Sequence, residues 1–188
     1  MRLFLAINLE PDVRRAIVDA TAPLRTAAPS LGWVGETRLH LTLKFLGEQS
    51  EDIVAPLSDS IDQVAQRHKQ FSMQLSEIGA FPNFRRARVV WMGIGRDPRL
   101  ELLHHDLELA CETHGLEVEG RPFRPHLTLA RVKGGDRTEL EGLRRLSRAS
   151  KKVDFKEESA VTSIDLMRST LGAAAKYERL HAAALRPY

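Results

Sequence analysis

The chain has 188 residues, 43% hydrophobic and 28% charged, with a formal net charge of +3 and a pI near 9.2. That length supports one domain or two closely packed lobes around a real core, and the composition excludes a disordered tail. The charge excess suits an anionic ligand but is too small to indicate nucleic acid by itself. The lone Cys111 cannot close an internal disulfide, which points to a reducing, cytoplasmic setting.

Met1 to Leu9 is apolar but short, ends at Glu10-Pro11-Asp12 and lacks a small-residue cleavage site. It reads as a strand over Leu3 to Leu9, neither signal peptide nor membrane span. A helix follows, with Pro11 near its start and an apolar stripe of Val13, Ile17, Ala20 and Leu24, interrupted near its end by Pro23. The next strand begins at His40-Leu41-Thr42-Leu43. Ser50 is the expected cap of a helix from Ile53 to Arg67, with Pro56 either delaying its start or occupying its first turn.

Strands are then expected over Phe71 to Ile78 and Arg88 to Ile94. Between them, after Pro82-Asn83, comes Phe84-Arg85-Arg86-Ala87-Arg88, a basic segment that reads equally as an anion contact and as a solvated hairpin tip. A second helix starts near Pro98 and carries Leu100, Leu103, Leu107 and Cys111 on one face, making Cys111 a core residue. His68, His104, His105, His114 and His181 have no matching partners and are expected to be structural or solvated. After His126-Leu127-Thr128-Leu129 come a helix over Arg137 to Leu146 capped by Asp136, and strands over Val153 to Glu158, Ser163 to Arg168 and Tyr177 to Ala184.

The repeated tetrapeptide is the chain's most informative feature. Its copies stand 86 residues apart, and the same offset lays Leu3 to Leu9 over Val89 to Gly95. The chain is therefore expected to be a duplicated α+β protein. Its two interleaved lobes would form one bilobal domain over residues 1–188, with antiparallel sheets lining a central cleft across a pseudo-twofold axis and helices outside. In a strand, His and Thr two residues apart share one face while the leucines enter the core.

Two imidazoles near neutrality can divide the work of acid and base, and displacement at phosphorus needs such groups on opposite sides. The hydroxyls of Thr42 and Thr128 would donate to non-bridging phosphate oxygens as charge accumulates there. A zinc site is disfavoured, because the motifs supply two ligands and lack the usual histidine or cysteine spacings. The motifs are nearly symmetric, so the residues alone leave donor and acceptor exchangeable.

HLTLKFLG, from His40 to Gly47, and RPFRPHLTLAR, from Arg121 to Arg131, resemble the duplicated signature of the two-histidine phosphoesterase superfamily. The closest resemblance is to the RNA 2′,3′-cyclic phosphodiesterase family, historically called 2′-5′ RNA ligases, and it covers essentially the whole chain. The resemblance implies metal-independent opening of a terminal 2′,3′-cyclic phosphate to a 2′-phosphomonoester, with no cofactor. It implies His40 as proton donor to the leaving 3′-oxygen, His126 as acceptor from water, and Thr42 and Thr128 as phosphate ligands. The implied partner is an RNA end, tRNA-derived ends included, or a small cyclic nucleotide, handled by a monomer away from membranes. Alternatives are an ATP-independent ligase using the same site and an RNA-end-binding module without turnover.

Five further residues are candidate substrate contacts. Arg131 matches a phosphate-binding arginine of the family, but strand parity turns it away from His126 unless a bulge redirects it. Lys44 shares parity with His40 and Thr42, so it is expected in the cleft or in solvent. Phe45 would stack on a base or, as the plainer reading, pack in the core. Trp33, like Phe123, is a candidate cleft wall against a packing role. Arg124 would contact the RNA backbone or sit on an exposed rim.

Overall fold

In the computed structural model, which describes residues 1–134, 137–170 and 176–188, the first apolar run forms strand β1 (Arg2–Asn8) in the interior of a sheet. Leu3, Leu5 and Ile7 are at most 1% exposed and belong to the main core, while Phe4 and Ala6, on the other face, are buried with Met167. Coverage on both faces explains why this strand is continuously apolar instead of alternating.

The elements follow in the order α1 (Pro11–Ala27), β2 (Gly32–Trp33), β3 (His40–Glu48), α2 (Val54–Ala65), β4 (Phe71–Phe81), β5 (Val89–Ile94) and α3 (Pro98–Glu112). Then come β6 (His126–Arg131), α4 (Arg137–Ser150), β7 (Glu157–Val161), β8 (Ser163–Thr170) and β9 (Lys176–Ala184). Among the described residues the strands make one nine-stranded antiparallel sheet in the order β7-β4-β5-β6-β3-β1-β8-β9, with β2 added against β6. The α+β architecture expected from the pattern is present. The two motif strands are neighbours, joined through Leu41 opposite Leu127.

Two helices pack away from the strand that precedes them. α1 follows β1 but packs on α4 under the β4-β5-β6 side, where Leu24 and Ala28 meet Val90, Ala130, Leu143 and Leu146. α3 follows β5 but packs on α2 and touches β3. All four motif leucines, Leu41, Leu43, Leu127 and Leu129, are 4% exposed or less. Burying each contributes about 1.5–3 kcal/mol and fixes which face His and Thr present.

Several expectations shift at the edges. Thr21, not Ala20, completes the buried stripe of α1, its hydroxyl satisfied by the Ile17 carbonyl at 2.7 Å. Pro23 does not end that helix, because it sits on the exposed side where the freed Asp19 carbonyl meets water. Ser50 makes no side-chain cap, and a 3-10 turn over Glu51–Ile53 precedes α2. Asp97 caps α3 through the Arg99 amide at 2.8 Å, whereas the Asp136 cap lies outside the described residues. β7 begins four residues later than expected because Ser159 and Val161 enter the sheet, while Val153 packs against the α1–α4 cluster. Burial leaves Cys111 in the core and pushes its thiol up to about 11. Among the described residues, no helix is long and apolar enough to cross a membrane.

Candidate active site

Each motif histidine is held in the same way. Nδ1 of His40 is 2.8 Å from the Arg38 carbonyl, and Nδ1 of His126 is 2.7 Å from the Arg124 carbonyl. A carbonyl only accepts, so both rings carry their proton on Nδ1 and leave Nε2 for chemistry. The Thr42 hydroxyl lies 3.1 Å from Nε2 of His40 and donates to it. Extending the Leu41–Leu127 register one residue each way sets Thr128 opposite His40 and His126 opposite Thr42. The motifs thus present two imidazoles and two hydroxyls from adjacent strands on one face of the sheet.

Both motif strands bulge at the same point. In β1–β3 the register runs Leu5 to Lys44 and then Ala6 to Thr42, leaving Leu43 extra. In β5–β6 it runs Val90 to Ala130 and then Trp91 to Thr128, leaving Leu129 extra. Each bulge reverses parity, so residues 44 and 130 turn inward while 45 and 131 turn toward the motif face. The bulge that Arg131 required is present, and its exposed guanidinium reaches His40 electrostatically.

The same bulge corrects Lys44. It is 6% exposed, its Nζ pairs with Glu108 at 2.8 Å and donates to the Glu117 carbonyl at 2.6 Å, and it faces away from the imidazoles. Phe45 is corrected in the opposite sense: it is 64% exposed beside Phe4, not packed in the core. Trp33 is not a cleft wall. It pairs with inward-facing Ala130, donates from Nε1 to the Ala28 carbonyl at 2.8 Å and lies under the Arg25 guanidinium. Arg124 supplies its carbonyl to His126, while its side chain is exposed. Phe123 stacks on His104 at 3.9 Å and belongs to the packing.

The aromatic walls come from residues the sequence reading did not select. His40 lies against Phe4 at 5.1 Å and edge-on to Tyr177 at 5.3 Å. His126 stands edge-on to Phe81 at 5.0 Å, and Phe81 packs on Trp91 at 5.2 Å. The missed signal was register. Phe4 pairs with Phe45 and Val89 with Arg131, so the strands beside the motifs correspond at an offset of 85, one less than the motifs themselves.

Burial lowers the basicity of His40, the bond to the Arg38 carbonyl opposes that, and the Arg131 charge lowers it further. Among the described residues no group of three or more His, Cys, Asp or Glu side chains is gathered as a metal would require.

A family model described as the 2′-5′ RNA ligase superfamily matches residues 10–173. The chain belongs to that superfamily. Within it, an RNA 2′,3′-cyclic phosphodiesterase of Geobacillus stearothermophilus is 32% identical over 180 residues, 95% of this chain. The match covers 55% of the Geobacillus protein, so the chain spans about half that relative's length. A crystal structure from Thermus thermophilus superposes with a TM-score of 0.81 at 29% identity, covering 100% of this chain and 99% of that one. The E. coli LigT structure complexed with 3′-AMP gives a TM-score of 0.71 at 29% identity, covering 98% and 97% of the two chains.

Proposed function

We propose that this protein opens the 2′,3′-cyclic phosphate at an RNA end to a 2′-phosphomonoester by acid–base chemistry shared between His40 and His126, with no metal taking part. The observation that carries this reading is the duplicated placement of two Nδ1-anchored imidazoles and two threonines on paired strands. The names and ligand of the superfamily relatives agree with it.

Nε2 of His126 takes a proton from water as the water oxygen bonds to phosphorus. The bond from phosphorus to the 3′-oxygen breaks, and Nε2–H of His40 protonates that oxygen. Thr42, Thr128 and Arg131 bind the non-bridging oxygens, where charge grows in the transition state. His40 starts from depressed basicity, so it gains its proton as the anionic phosphate arrives beside it. Phe45, with Phe4 at its side and Tyr177 edge-on to Phe4, offers the terminal base an exposed aromatic surface. Arg124 stands on the rim for the RNA backbone.

In this reading residues 1–188 act as one two-lobed cytoplasmic monomer, on RNA ends that include tRNA-derived ones and on small cyclic nucleotides. A 5′-hydroxyl in place of water would give a 2′-5′ linkage by the same steps. The test is turnover of a cyclic-phosphate RNA by His40→Ala and His126→Ala, each expected to lose about 10²-fold or more while the fold stays intact. Near-wild-type turnover by either variant defeats the proposal.

A further inference from the structure

We infer that the hairpin joining β4 and β5, residues 82–88, receives RNA phosphates lying 5′ of the reacting end, so that this protein favours an oligoribonucleotide over a cyclic mononucleotide. The inference rests on the cyclic-phosphate reading of the His40–His126 site.

Arg85, Arg86 and Arg88 are all exposed, and among the described residues none has a carboxylate partner. Elsewhere among the described residues exposed arginines without an acidic partner also occur, Arg15, Arg96 and Arg144 included, so what the hairpin adds is three such cations within four residues beside the site. Three unneutralised cations on so short a segment repel one another, and an anion relieves that repulsion.

The segment is also built to hold them in place. Asn83 Oδ1 accepts from the amides of Arg85 and Arg86 at 3.0 and 3.2 Å. The Arg88 amide donates to the Phe81 carbonyl at 2.8 Å, and the Val132 amide donates to the Arg88 carbonyl at 3.0 Å. Ala87 is buried and Phe84 packs against the α1–α4 cluster, so the backbone is anchored while the arginines point outward. The backbone is ordered before binding, and what binding must still order is the three arginine side chains.

The hairpin is continuous with the site. At its base Val89 opposes Arg131 on one side and Phe81 on the other, and Phe81 meets the ring of His126. Trp91 pairs with Thr128, and Arg88, the residue just before β5, lies three residues from Trp91, about 10 Å at the rise of a strand. An anion that starts at the two threonines and continues past Arg131 arrives at this hairpin. A polynucleotide has that form, and a mononucleotide ends before reaching it.

The experiment compares wild type with R85Q/R86Q/R88Q on 2′,3′-cyclic AMP and on an oligoadenylate ending in the same cyclic phosphate, from 50 to 200 mM salt. The variant should keep its kcat/KM on the mononucleotide and lose about 10-fold on the oligomer at low salt, with the log–log salt slope reduced by about 2. An unchanged oligomer rate and slope, or equal losses on both substrates, overturns the inference. If the wild type turns over neither substrate, the cyclic-phosphate reading fails separately. Anisotropy of a labelled oligoadenylate 3′-phosphate then decides: weaker, less salt-dependent binding by the variant supports the hairpin's role, and unchanged binding overturns it.

Discussion

The Arg131 guanidinium, carried by the second motif strand, lowers the basicity of the His40 imidazole carried by the first. Burial is the larger cause, and the bond to the Arg38 carbonyl works against both. Two motifs 86 residues apart in sequence therefore share one electrostatic environment.

His40 should titrate by NMR below the ordinary value of about 6.5, and Arg131→Gln should raise its midpoint. A midpoint at or above the ordinary value, unmoved in the variant, would count against this account. The same shift has a consequence for stability. A histidine whose folded value is depressed contributes fully above its unfolded value, and that contribution is lost as pH falls toward the folded one. Denaturant unfolding should show wild type weakening from about pH 6.5 downward, more steeply than His40→Gln.

The direction of proton flow is open to a leaving-group test. A phosphodiester with a p-nitrophenolate leaving group needs no proton on departure, so it relieves the loss of an acid but not of a base. His40→Ala should retain a larger fraction of its rate on such a substrate than His126→Ala. The reverse order would exchange the two roles.

Lys44 and Glu108 form an ion pair that is almost fully buried, tying β3 to α3. Removing the cation alone leaves a buried carboxylate uncompensated, so Lys44→Met should cost about 3–5 kcal/mol in urea unfolding. Adding Glu108→Leu should recover much of that. A Lys44→Met protein with full stability and a raised KM would instead make Lys44 a phosphate ligand.

Gly79 leaves room for the indole of Trp91, since a Cβ at that position would stand 2.1 Å from the ring. Gly79→Ala should therefore displace Trp91, shift its fluorescence and cost about 1–3 kcal/mol. Unchanged emission and stability would show that the ring is not confined there.

The repeat made the motif strands, their leucine anchors and the facing of His and Thr legible, because a period of two is written directly in the residues. The bulges at Leu43 and Leu129 were not legible at Lys44, since one inserted residue reverses parity without leaving any mark in composition. Arg131 carried a hint, because its proposed role required such a bulge. Trp33 stayed ambiguous because an aromatic beside a glycine looks the same whether it faces a cleft or a helix, and of its two readings the structure bears out packing. Phe4, Phe81, Trp91 and Tyr177 come from strands paired to the motifs or beyond them, and strand pairing is a long-range choice that local pattern does not fix.

The central claim concerns the bond that breaks, and analysis of the RNA terminus tests it most directly. An RNA bearing a 2′,3′-cyclic phosphate, incubated with the protein in excess EDTA, should yield a 2′-phosphate terminus with its 3′-hydroxyl free. A product carrying only 3′-phosphate, or activity that disappears with EDTA and returns with added metal, would contradict it.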